Sequence, residues 1–337
     1  MSRCLQLAKL GAGNVAPNPM VGAVLVHDNT IIGDGYHKKY GEAHAEVNCI
    51  NSVSHENKRL IENSTMYVSL EPCSHFGKTP PCSNLIIQQK IKRVIIGCSD
   101  IYEEVAGKGI EKLRNAGVEV VTGVLENESK DLNKRFFTFH NLKRPYIILK
   151  WAQSANAKIG SENGRVLISN DYSNRLVHKW RSDEAAILVG KNTVLKDDPE
   201  LTTRLWKGKN PTRIVIDPNL ELPTSSKVFN GEAKTIIYNL SKNASEENNQ
   251  YIQLQKGNFL QKMLLSLYHK NVQSILVEGG ARTLQSFIEQ DVWDEARVIT
   301  NRAIIIEEGI YAPEMKNFNL LRQENYFSDT IDYFDRK

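Results

Sequence analysis

Two short segments decide the fold of the first half of this chain: His44-Ala45-Glu46, and the stretch from Glu71 to Cys82, which reads EPCSHFGKTPPC. Three of their side chains, His44, Cys73 and Cys82, are of the kinds that bind zinc. A catalytic zinc ion usually takes three protein ligands and leaves its fourth tetrahedral position to water. The ion lowers the pKa of that water to ~7, which supplies hydroxide at neutral pH. Glu46 is predicted to carry the proton without binding the metal.

Each part of this pattern is weak alone. His-X-Glu triplets occur by chance in many chains, and two cysteines nine positions apart are usually unrelated. Their combination with Glu71-Pro72, directly after a predicted strand, favours a metal site. A structural zinc in a non-catalytic binding or scaffolding module is the alternative, and such a site fills the fourth position with a protein ligand. Cys49 is the only nearby candidate for that ligand, so the sequence favours catalysis.

The composition sets the class of protein. The 337 residues are 41% hydrophobic and 24% charged, as expected of a globular protein with two domains. Neither an apolar run of the ~18 residues that span a membrane nor a signal peptide is found. The net charge of +4 is not concentrated in a basic block, which disfavours nucleic-acid binding. All five cysteines lie within the first 98 residues, which favours a reducing compartment over a disulfide framework. We therefore expect a cytoplasmic homo-oligomer that acts on a small molecule, without nucleic-acid or membrane partners.

Strand and helix patterns alternate along the chain, which is typical of a mixed or parallel sheet covered on both faces. A polar break at 141–145 (NLKRP) separates two predicted α/β domains, residues 1–142 and 145–337. In the first domain we predict strands at 20–26, 31–36, 66–70, 93–98 and 118–122, and helices at 44–51, 83–90, 108–115 and 126–139. In the second we predict strands at 146–151, 186–189, 213–217, 235–238, 274–278 and 296–300, and helices at 171–182, 259–269 and 282–289. Ser169 or Asn170 is predicted to cap the helix at 171, and 241–250 is predicted to be a solvated loop.

The first half resembles the deaminase of riboflavin biosynthesis, within the bifunctional deaminase–reductase family. The resemblance rests on the loop from Glu71 to Cys82, on Pro17 to Gly22 (PNPMVG) and on Gly35-Tyr36-His37. Nucleobase deaminases carry H-x-E and a later P-C-x-x-C. Here eight residues separate the cysteines, as in this family. Residues 105–109 (VAGKG) match another family stretch, although the D-P-N-P that usually precedes it reads DIYE here.

This resemblance implies a cytidine-deaminase-like, three-layer α/β/α domain with one zinc ion on His44, Cys73 and Cys82. Zinc hydroxide would deaminate a phosphoribosylated diaminopyrimidine, and Glu46 would shuttle the proton as ammonia leaves. The implied substrate contacts are Asn18, His37, His75 and Lys78, with Lys78 suited to a phosphate. A tRNA or nucleoside deaminase with an accessory domain is the rival reading. The long loop and the absence of a basic stripe disfavour it.

The second half is less explicit on its own chemistry. It lacks a G-x-G-x-x-G after a strand, which disfavours a Rossmann dinucleotide site. Gly279-Gly280 follows the predicted strand SILVE, and two glycines there would let the backbone approach a pyrophosphate at a helix N-terminus. Arg181 and Arg204 are suited to a phosphate, since arginine forks match its oxygens.

Residues 189–204 (VGKNTVLKDDPELTTR), 211–217 (PTRIVID) and 277–280 (VEGG) resemble the reductase half of the same family. That half has a dihydrofolate-reductase-like α/β fold and reduces the ribosyl side chain of the deaminated product to ribityl with NADPH. The implied cofactor contacts are Ala152, Leu167, Thr193, Asp197, Gly280, Ala281, Arg282 and Thr283. The implied substrate contacts are Arg181, Leu201, Arg204 and Glu278, and Lys150 is a further candidate.

Three segments depart from the reductase pattern. The usual S-L-D-G-K is 154–158 (SANAK), the aromatic residue of S-x-W-I-T is Leu167, and A-P-x-L-L-G-G is replaced at 301–309 by NRAIIIEEG. The loss of an Asp and a Gly changes the charge and backbone freedom of one turn. An active deaminase that carries a degenerate, non-reducing C-terminal domain is therefore the alternative.

Overall fold

Two units make up the chain, Met1–Lys143 and Arg144–Lys337, each with its own sheet and apolar core. Their division falls inside the polar segment 141–145. The structure is a computed structural model that describes residues 1–76, 80–101, 106–162, 164 and 166–336. Across these residues, no helix is both long and apolar enough to span a membrane.

The first unit is built on a five-stranded mixed sheet. Its strands are β1 (Gly22–His27), β2 (Thr30–Tyr36), β3 (Thr65–Leu70), β4 (Arg93–Cys98) and β5 (Glu119–Thr122). Its helices are α1 (Ser2–Lys9), α2 (Ala45–Asn51), α3 (Cys82–Gln88), α4 (Lys108–Asn115), α5 (Glu126–Leu132) and α6 (Lys134–Leu142), with a 3₁₀ helix at His55–Asn63. The strand order is β2-β1-β3-β4-β5, in which β1 is antiparallel to both neighbours and β3, β4 and β5 are parallel.

The first unit has three layers, a sheet with helices on both faces. Alternate residues of a strand point to opposite faces of the sheet, so both faces can pack against helices. On β1, Ala23 and Leu25 join the core formed with α2, α3 and α4, whereas Val24 packs with α1 on the other face. The strand β4 is buried at every position after Arg93, as expected of a parallel strand covered on both faces. The carboxyl ends of β3 and β4 therefore lie side by side between helical layers, and the segment beginning at Glu71 follows β3 there.

The second unit contains a ten-stranded sheet and a separate two-stranded one. Its strands are β6 (Tyr146–Ser154), β7 (Lys158–Ser161), β8 (Ala186–Gly190), β9 (Thr212–Ile216), β10 (Thr235–Asn239), β11 (Ala244–Glu246), β12 (Asn249–Gln253), β13 (Ser274–Gly279), β14 (Glu295–Asn301), β15 (Gly309–Tyr311), β16 (Phe318–Tyr326) and β17 (Asp329–Arg336). Its helices are α7 (Asp171–Asp183), α8 (Lys191–Asp197), α9 (Phe259–His269) and α10 (Ala281–Glu289), with a 3₁₀ helix at Lys227–Phe229. The large sheet has the order β11-β12-β10-β9-β8-β13-β6-β14-β17-β16, and β7 pairs with β15.

Seven neighbouring strands of the large sheet, from β12 to β14, are parallel, and antiparallel strands flank them. On the central strand β6, Ile147, Leu149 and Trp151 belong to the core that α9 and α10 complete. Ile148 and Ala152 face the opposite side and pack with α7. By the same alternation, Lys150 lies on the α7 side, where it meets Arg181 and Glu278.

The predicted single helix at 126–139 is wrong, since α5 and α6 are separated by Asn133. The side chain of Asn133 accepts a hydrogen bond from the Met20 backbone N–H at 2.8 Å and donates one to the Met20 carbonyl at 2.9 Å. This exchange fixes Asn133 outside helical geometry, at φ −108°. A contact with a residue 113 positions away therefore ends the helix.

The predicted loop at 241–250 is also wrong, because it contains β11 and the start of β12. The Asn239 side chain organises the turn that leads into this hairpin by accepting hydrogen bonds from the N–H groups of Ser241 and Lys242. Ser169 and Asn170 were the two predicted caps of the helix at 171, and Asn170 is the residue that caps α7. Its side chain accepts a hydrogen bond from the Ser173 N–H at 2.9 Å.

A buried ion pair supports the start of the second unit. The Arg144 guanidinium donates to both carboxylate oxygens of Asp294, at 2.6 and 2.8 Å, and Asp294 also accepts the Ile147 N–H at 2.7 Å. Asp294→Ala would leave the arginine charge buried and unpaired, so we expect the unit to lose about 3–5 kcal/mol of unfolding free energy. All four tryptophans lie in this unit, so their fluorescence in a urea titration measures it selectively.

Asp183→Ala is the matched control for that measurement. Asp183 pairs with Lys179 on the surface of α7, and an exposed pair contributes at most about 1 kcal/mol. An equal loss in the two variants would contradict the importance of the buried pair.

Candidate active sites

The predicted zinc ligands of the first unit lie together. His44 immediately precedes α2, Cys73 follows β3 by three residues, and Cys82 begins α3. The His44 Nδ1 atom lies 3.6 Å from the Cys73 sulfur and 3.4 Å from the Cys82 sulfur. In a tetrahedral zinc site, nitrogen and sulfur ligands are about 3.5 Å apart, given Zn–N and Zn–S bonds of about 2.0 and 2.3 Å. The three side chains therefore fit zinc without rearrangement.

Local hydrogen bonds favour the thiolate form of Cys73. The Cys82 backbone N–H donates to the Cys73 sulfur at 3.3 Å, and the Ser83 N–H donates to the Cys73 carbonyl at 3.1 Å. The hydrogen bond from the Cys82 side chain, followed by that from His44, lowers the pKa of the Cys73 thiol, although burial opposes this. The thiolate that results is the form that binds metal.

The cluster keeps an open coordination position. Across the described residues, the potential metal-binding group here consists of His44, Cys73 and Cys82 alone. Cys49, the candidate fourth ligand of a structural site, is buried and donates its thiol to the Gly33 carbonyl at 3.4 Å. Three ligands and one open position are the arrangement of a catalytic zinc.

Glu46 lies in the first turn of α2, two residues after His44, and is almost fully buried. Burial, and then the negative charge of Cys73, raises the pKa of Glu46 to about 7. A carboxyl group that titrates near neutral pH can both accept and release a proton during turnover.

Two of the predicted substrate contacts lie beside the ligand His44. The His37 ring is buried and meets the His44 ring edge-on, with centroids 5.3 Å apart. The Asn18 amide donates to His37 Nε2 at 3.2 Å, and His37 Nδ1 donates to the Ala43 carbonyl at 3.1 Å. Burial lowers the pKa of His37, which favours this neutral form. His75 is exposed on the loop between the cysteines, and Lys78 lies outside the described residues.

In the second unit, Lys150, Arg181 and Glu278 form a buried charged group on the α7 side of the sheet. Arg181 donates from Nε and Nη2 to the two carboxylate oxygens of Glu278, both at 2.7 Å, and from Nη1 to the Thr202 carbonyl at 3.2 Å. The Lys150 ammonium lies 3.9 Å from the same carboxylate. The sequence singled out all three residues but did not predict this pairing.

Burial alone would raise the pKa of Glu278, but Arg181 and Lys150 lower it from 4.5 to about 2. Because the folded pKa lies below that of the unfolded chain, the interaction stabilises the unit above about pH 4.5 and is lost as the pH falls toward 2. We expect Glu278→Gln to lower the unfolding free energy by about 3 kcal/mol at neutral pH.

The difference between wild type and Glu278→Gln should shrink as the pH is lowered from 7 to about 3.5, in thermal unfolding followed by tryptophan fluorescence. Glu246→Gln is the control, because Glu246 forms an exposed pair with Lys242. A Glu278→Gln deficit that does not change with pH would contradict an ionised Glu278.

The predicted cofactor residues meet where the turns after β8 and β13 pack together. A Cβ on Gly190 would lie 2.5 Å from the Thr283 hydroxyl, and one on Gly279 would lie 2.9 Å from the Thr193 hydroxyl. Gly280 has a positive φ of +73° and directly precedes α10. Glycine is therefore required at all three positions. The first turn of α10, Ala281 to Thr283, has free backbone N–H groups of the kind that bind phosphate at a helix N-terminus. Ala152 lies on β6, and Asp197 ends α8.

The remaining predicted contacts lie in loops. Leu201 has φ +55° and its side chain packs in the core with Val189 and Val194, so only its backbone can face a ligand. Arg204 is exposed and donates to Glu200 at 2.7 Å. Leu167 is 75% exposed.

Sequence reasoning missed two residues that the structure places at these sites. His178 is buried one turn before Arg181 on α7 and accepts the Leu205 N–H through Nδ1 at 3.5 Å. Burial, Arg181 and Arg204 lower its pKa to about 4, so it is neutral beside two arginines. Its spacing of three from Arg181 on a predicted helix could have indicated it. The second is Glu71, whose contacts are described below.

Comparison with known proteins identifies the family. Residues 1–98 match the cytidine and deoxycytidylate deaminase zinc-binding region, and residues 145–305 match the RibD C-terminal domain. The riboflavin biosynthesis protein RibD of Aquifex aeolicus is 44% identical over 317 residues, which cover 92% of this chain and 88% of the relative. The chain belongs to the RibD family. The Escherichia coli RibD is 33% identical over 88% of this chain and 84% of its own length.

A solved structure shows the same architecture over the whole length. A Thermotoga maritima diaminohydroxyphosphoribosylaminopyrimidine deaminase/5-amino-6-(5-phosphoribosylamino)uracil reductase superposes with a TM-score of 0.91 at 36% identity. The alignment covers 100% of this chain and 97% of that one.

Membership in the RibD family confirms the predicted fold class, a cytidine-deaminase-like unit followed by a dihydrofolate-reductase-like one. It also confirms a bifunctional enzyme of riboflavin biosynthesis, with zinc in the deaminase half and NADPH as the cofactor of the reductase half.

Proposed function

We propose that this RibD chain deaminates a 2,5-diamino-6-ribosylamino-pyrimidinone 5′-phosphate in residues 1–142, and reduces the ribosyl group of the product to ribityl in residues 145–337. The observation that carries the proposal is the His44, Cys73 and Cys82 cluster, which fits zinc, keeps one position open and has the buried Glu46 two residues from a ligand. The substrate follows from the activities named for the Thermotoga maritima relative.

In the deaminase site, His44, Cys73 and Cys82 would hold zinc, which when bound activates a water molecule for attack on the substrate. Glu46 takes the proton from that water and delivers it to the departing amino group. The water oxygen bonds to the amino-bearing carbon, and the carbon–nitrogen bond then breaks. The amino group leaves as ammonia with the proton from Glu46, a carbonyl takes its place, and the other proton of the water stays on the ring. Asn18 and His37, which are hydrogen-bonded to each other beside His44, would contact the pyrimidine. His75 and Lys78 would be further contacts, and the charge of Lys78 suits the ribose phosphate.

Glu46→Gln keeps the size of the side chain and removes its capacity to carry a proton. We expect the deaminase kcat to fall by about 10²–10⁴-fold while zinc content and NADPH binding stay unchanged. Glu56→Gln, on the exposed surface of the same unit, should be fully active. Removal of zinc with a chelator should abolish deamination, and its return should restore it.

Full deamination by Glu46→Gln, or zinc-free protein from a purification without chelator, would contradict this mechanism. Deamination of tRNA in place of the pyrimidine nucleotide would support the rival deaminase. A tRNA gel shift at physiological salt separates the two.

In the reductase site, NADPH supplies the reducing equivalent when bound, so the protein's task is to bind and orient. We propose that Thr193, the backbone of 280–283 and Asp197 hold the cofactor, with Ala152 and Leu167 as further contacts. Lys150, Arg181, Leu201, Arg204 and Glu278 would hold the substrate. Arg181 is bound at both ends of its fork by Glu278, whereas the pairing of Arg204 with Glu200 is exposed to solvent. Arg204 is therefore the more available cation for the substrate phosphate.

Arg204→Ala should raise the reductase KM by roughly 10- to 150-fold, since a charge-assisted contact contributes about 1.5–3 kcal/mol. The NADPH dissociation constant should not change. Arg175→Ala, on the exposed surface of α7, is the control. Thr193→Val should instead raise the NADPH dissociation constant while leaving the substrate KM nearly unchanged.

Saturable NADPH binding, with oxidation of NADPH by the deaminated product, is the expected result for wild type. Zinc-dependent deamination without NADPH binding would instead establish the degenerate C-terminal domain. An Arg204→Ala enzyme with the wild-type KM would remove Arg204 from the phosphate site.

We further propose a cytoplasmic homo-oligomer that acts on small molecules, without nucleic-acid or membrane partners. Thiolate ligands at Cys73 and Cys82 require reduced cysteines, which supports a reducing compartment. An oligomer is supported by the edge strand β16, whose Phe318, Leu320 and Leu321 side chains are exposed. Long apolar edge strands are usually covered in native proteins.

A further inference from the structure

Glu71 lies between the end of β3 and the ligand Cys73, and its buried carboxylate accepts four backbone hydrogen bonds. Oε2 accepts the N–H groups of Asp100 and Gly107, both at 3.1 Å. Oε1 accepts those of Gly109 at 2.9 Å and Ile110 at 3.2 Å. The Glu71 side chain therefore connects the segment that holds Cys73 with Asp100, which follows β4, and with the start of α4.

A buried carboxylate is costly unless charge or hydrogen bonds compensate it. Here three of the four donors belong to the beginning of α4, where unpaired N–H groups and the helix dipole favour a negative charge. The carboxylate in turn satisfies N–H groups that the helix itself leaves without partners. Charge and hydrogen bonding thus favour one arrangement of these segments.

The same junction is closely packed from the other side. A Cβ on Gly109 would lie 2.0 Å from the Pro72 carbonyl oxygen, so only glycine lets α4 approach the ligand segment this closely. The Glu71 backbone N–H also donates to the Cys98 carbonyl at 3.0 Å, at the end of β4. Glu71 and Pro72 are thus held by β4 and α4, and the next residue is the zinc ligand.

We propose that Glu71 is a positioning residue of the deaminase site, which holds Cys73 at the place that zinc requires by joining residues 71–73 to the start of α4. This inference rests on the proposed zinc deaminase. Glu71 is not one of the three candidate zinc ligands, and both of its carboxylate oxygens accept backbone N–H groups. Its loss should act through Cys73, as the loss of groups that orient metal ligands typically costs 10- to 100-fold in metal affinity or activity.

Glu71→Gln tests the proposal, because the amide keeps the shape but turns an N–H₂ group toward backbone N–H donors. We expect its zinc dissociation constant, measured by competition with a chromogenic chelator, to rise about 10- to 100-fold. Deaminase activity should be lost at limiting zinc and recover, at least in part, when zinc is added. NADPH binding by the second unit should stay at the wild-type value.

Two further variants separate positioning from general stability. Glu119→Gln makes the same change on β5, where Glu119 forms an exposed pair with Arg93, and should bind zinc as wild type does. Gly109→Ala keeps Glu71, but its Cβ would push Pro72 away. This variant should therefore also bind zinc more weakly than wild type. Where Glu71→Gln does not fold, Glu71→Asp retains the charge with a shorter reach and should show a smaller loss in the same direction.

Wild-type zinc affinity in folded Glu71→Gln, even with a lowered melting temperature, would overturn the proposal and leave Glu71 as a stabilising residue only. An equal loss of zinc in Glu119→Gln would overturn it as well. If wild type itself binds no zinc, the proposed deaminase fails, and that outcome is distinct from the other two.

Discussion

Parallel pairing of neighbouring strands is the constraint on which both sites depend. The carboxyl ends of parallel strands meet at one edge of a sheet, so residues that are distant in sequence become neighbours there. In the first unit, parallel β3 and β4 bring the ligand segment after Leu70 beside the segment after Cys98. In the second, β6, β8 and β13 bring Lys150, Gly190 and Glu278 together. Neither site could form from its own local sequence.

Buried charge at these edges is compensated in two different ways. Glu71 is held by four backbone N–H groups, so its negative charge needs no cation. Glu278 is held by the Arg181 guanidinium, with Lys150 close by. Backbone donors fix a loop and a helix relative to each other. The pairing of Arg181 with Glu278 instead joins α7 to β13 through two side chains.

The sequence predicted what depends on residue type and short spacing. His44, Cys73 and Cys82 were predicted as zinc ligands from the combination of the short motifs that contain them, and the structure brings their side chains together. The bounds of β4, α4 and α9 were predicted to the residue, because their apolar pattern and flanking signals are local. The exchange between Asn133 and Met20 that divides α5 from α6 spans 113 positions, so no local pattern shows it. The pairing of Arg181 with Glu278 spans 97 positions and was missed for the same reason.

The edge elements were missed for a second physical reason. Strand β16 is exposed over its first six residues and pairs only with β17 among the described strands, so it carries no alternation of buried and exposed positions. The hairpin of β11 and β12 is polar because it too lies at the edge of the sheet. Hydrophobic periodicity reports burial, so it fails for strands that are held by backbone hydrogen bonds at the rim of a sheet.

Glu46 and Glu278 have the same side chain, but their environments shift its pKa in opposite directions. Burial raises the pKa of Glu46 to about 7, which suits a group that exchanges a proton near neutral pH. The pKa of Glu278, lowered to about 2, makes it a poor proton donor at that pH. Glu278 pairs with the Arg181 guanidinium at 2.7 Å, and burial lowers the pKa of the third member of the group, Lys150. The same carboxyl group thus titrates near neutral pH where burial dominates, and stays ionised where an arginine lies against it.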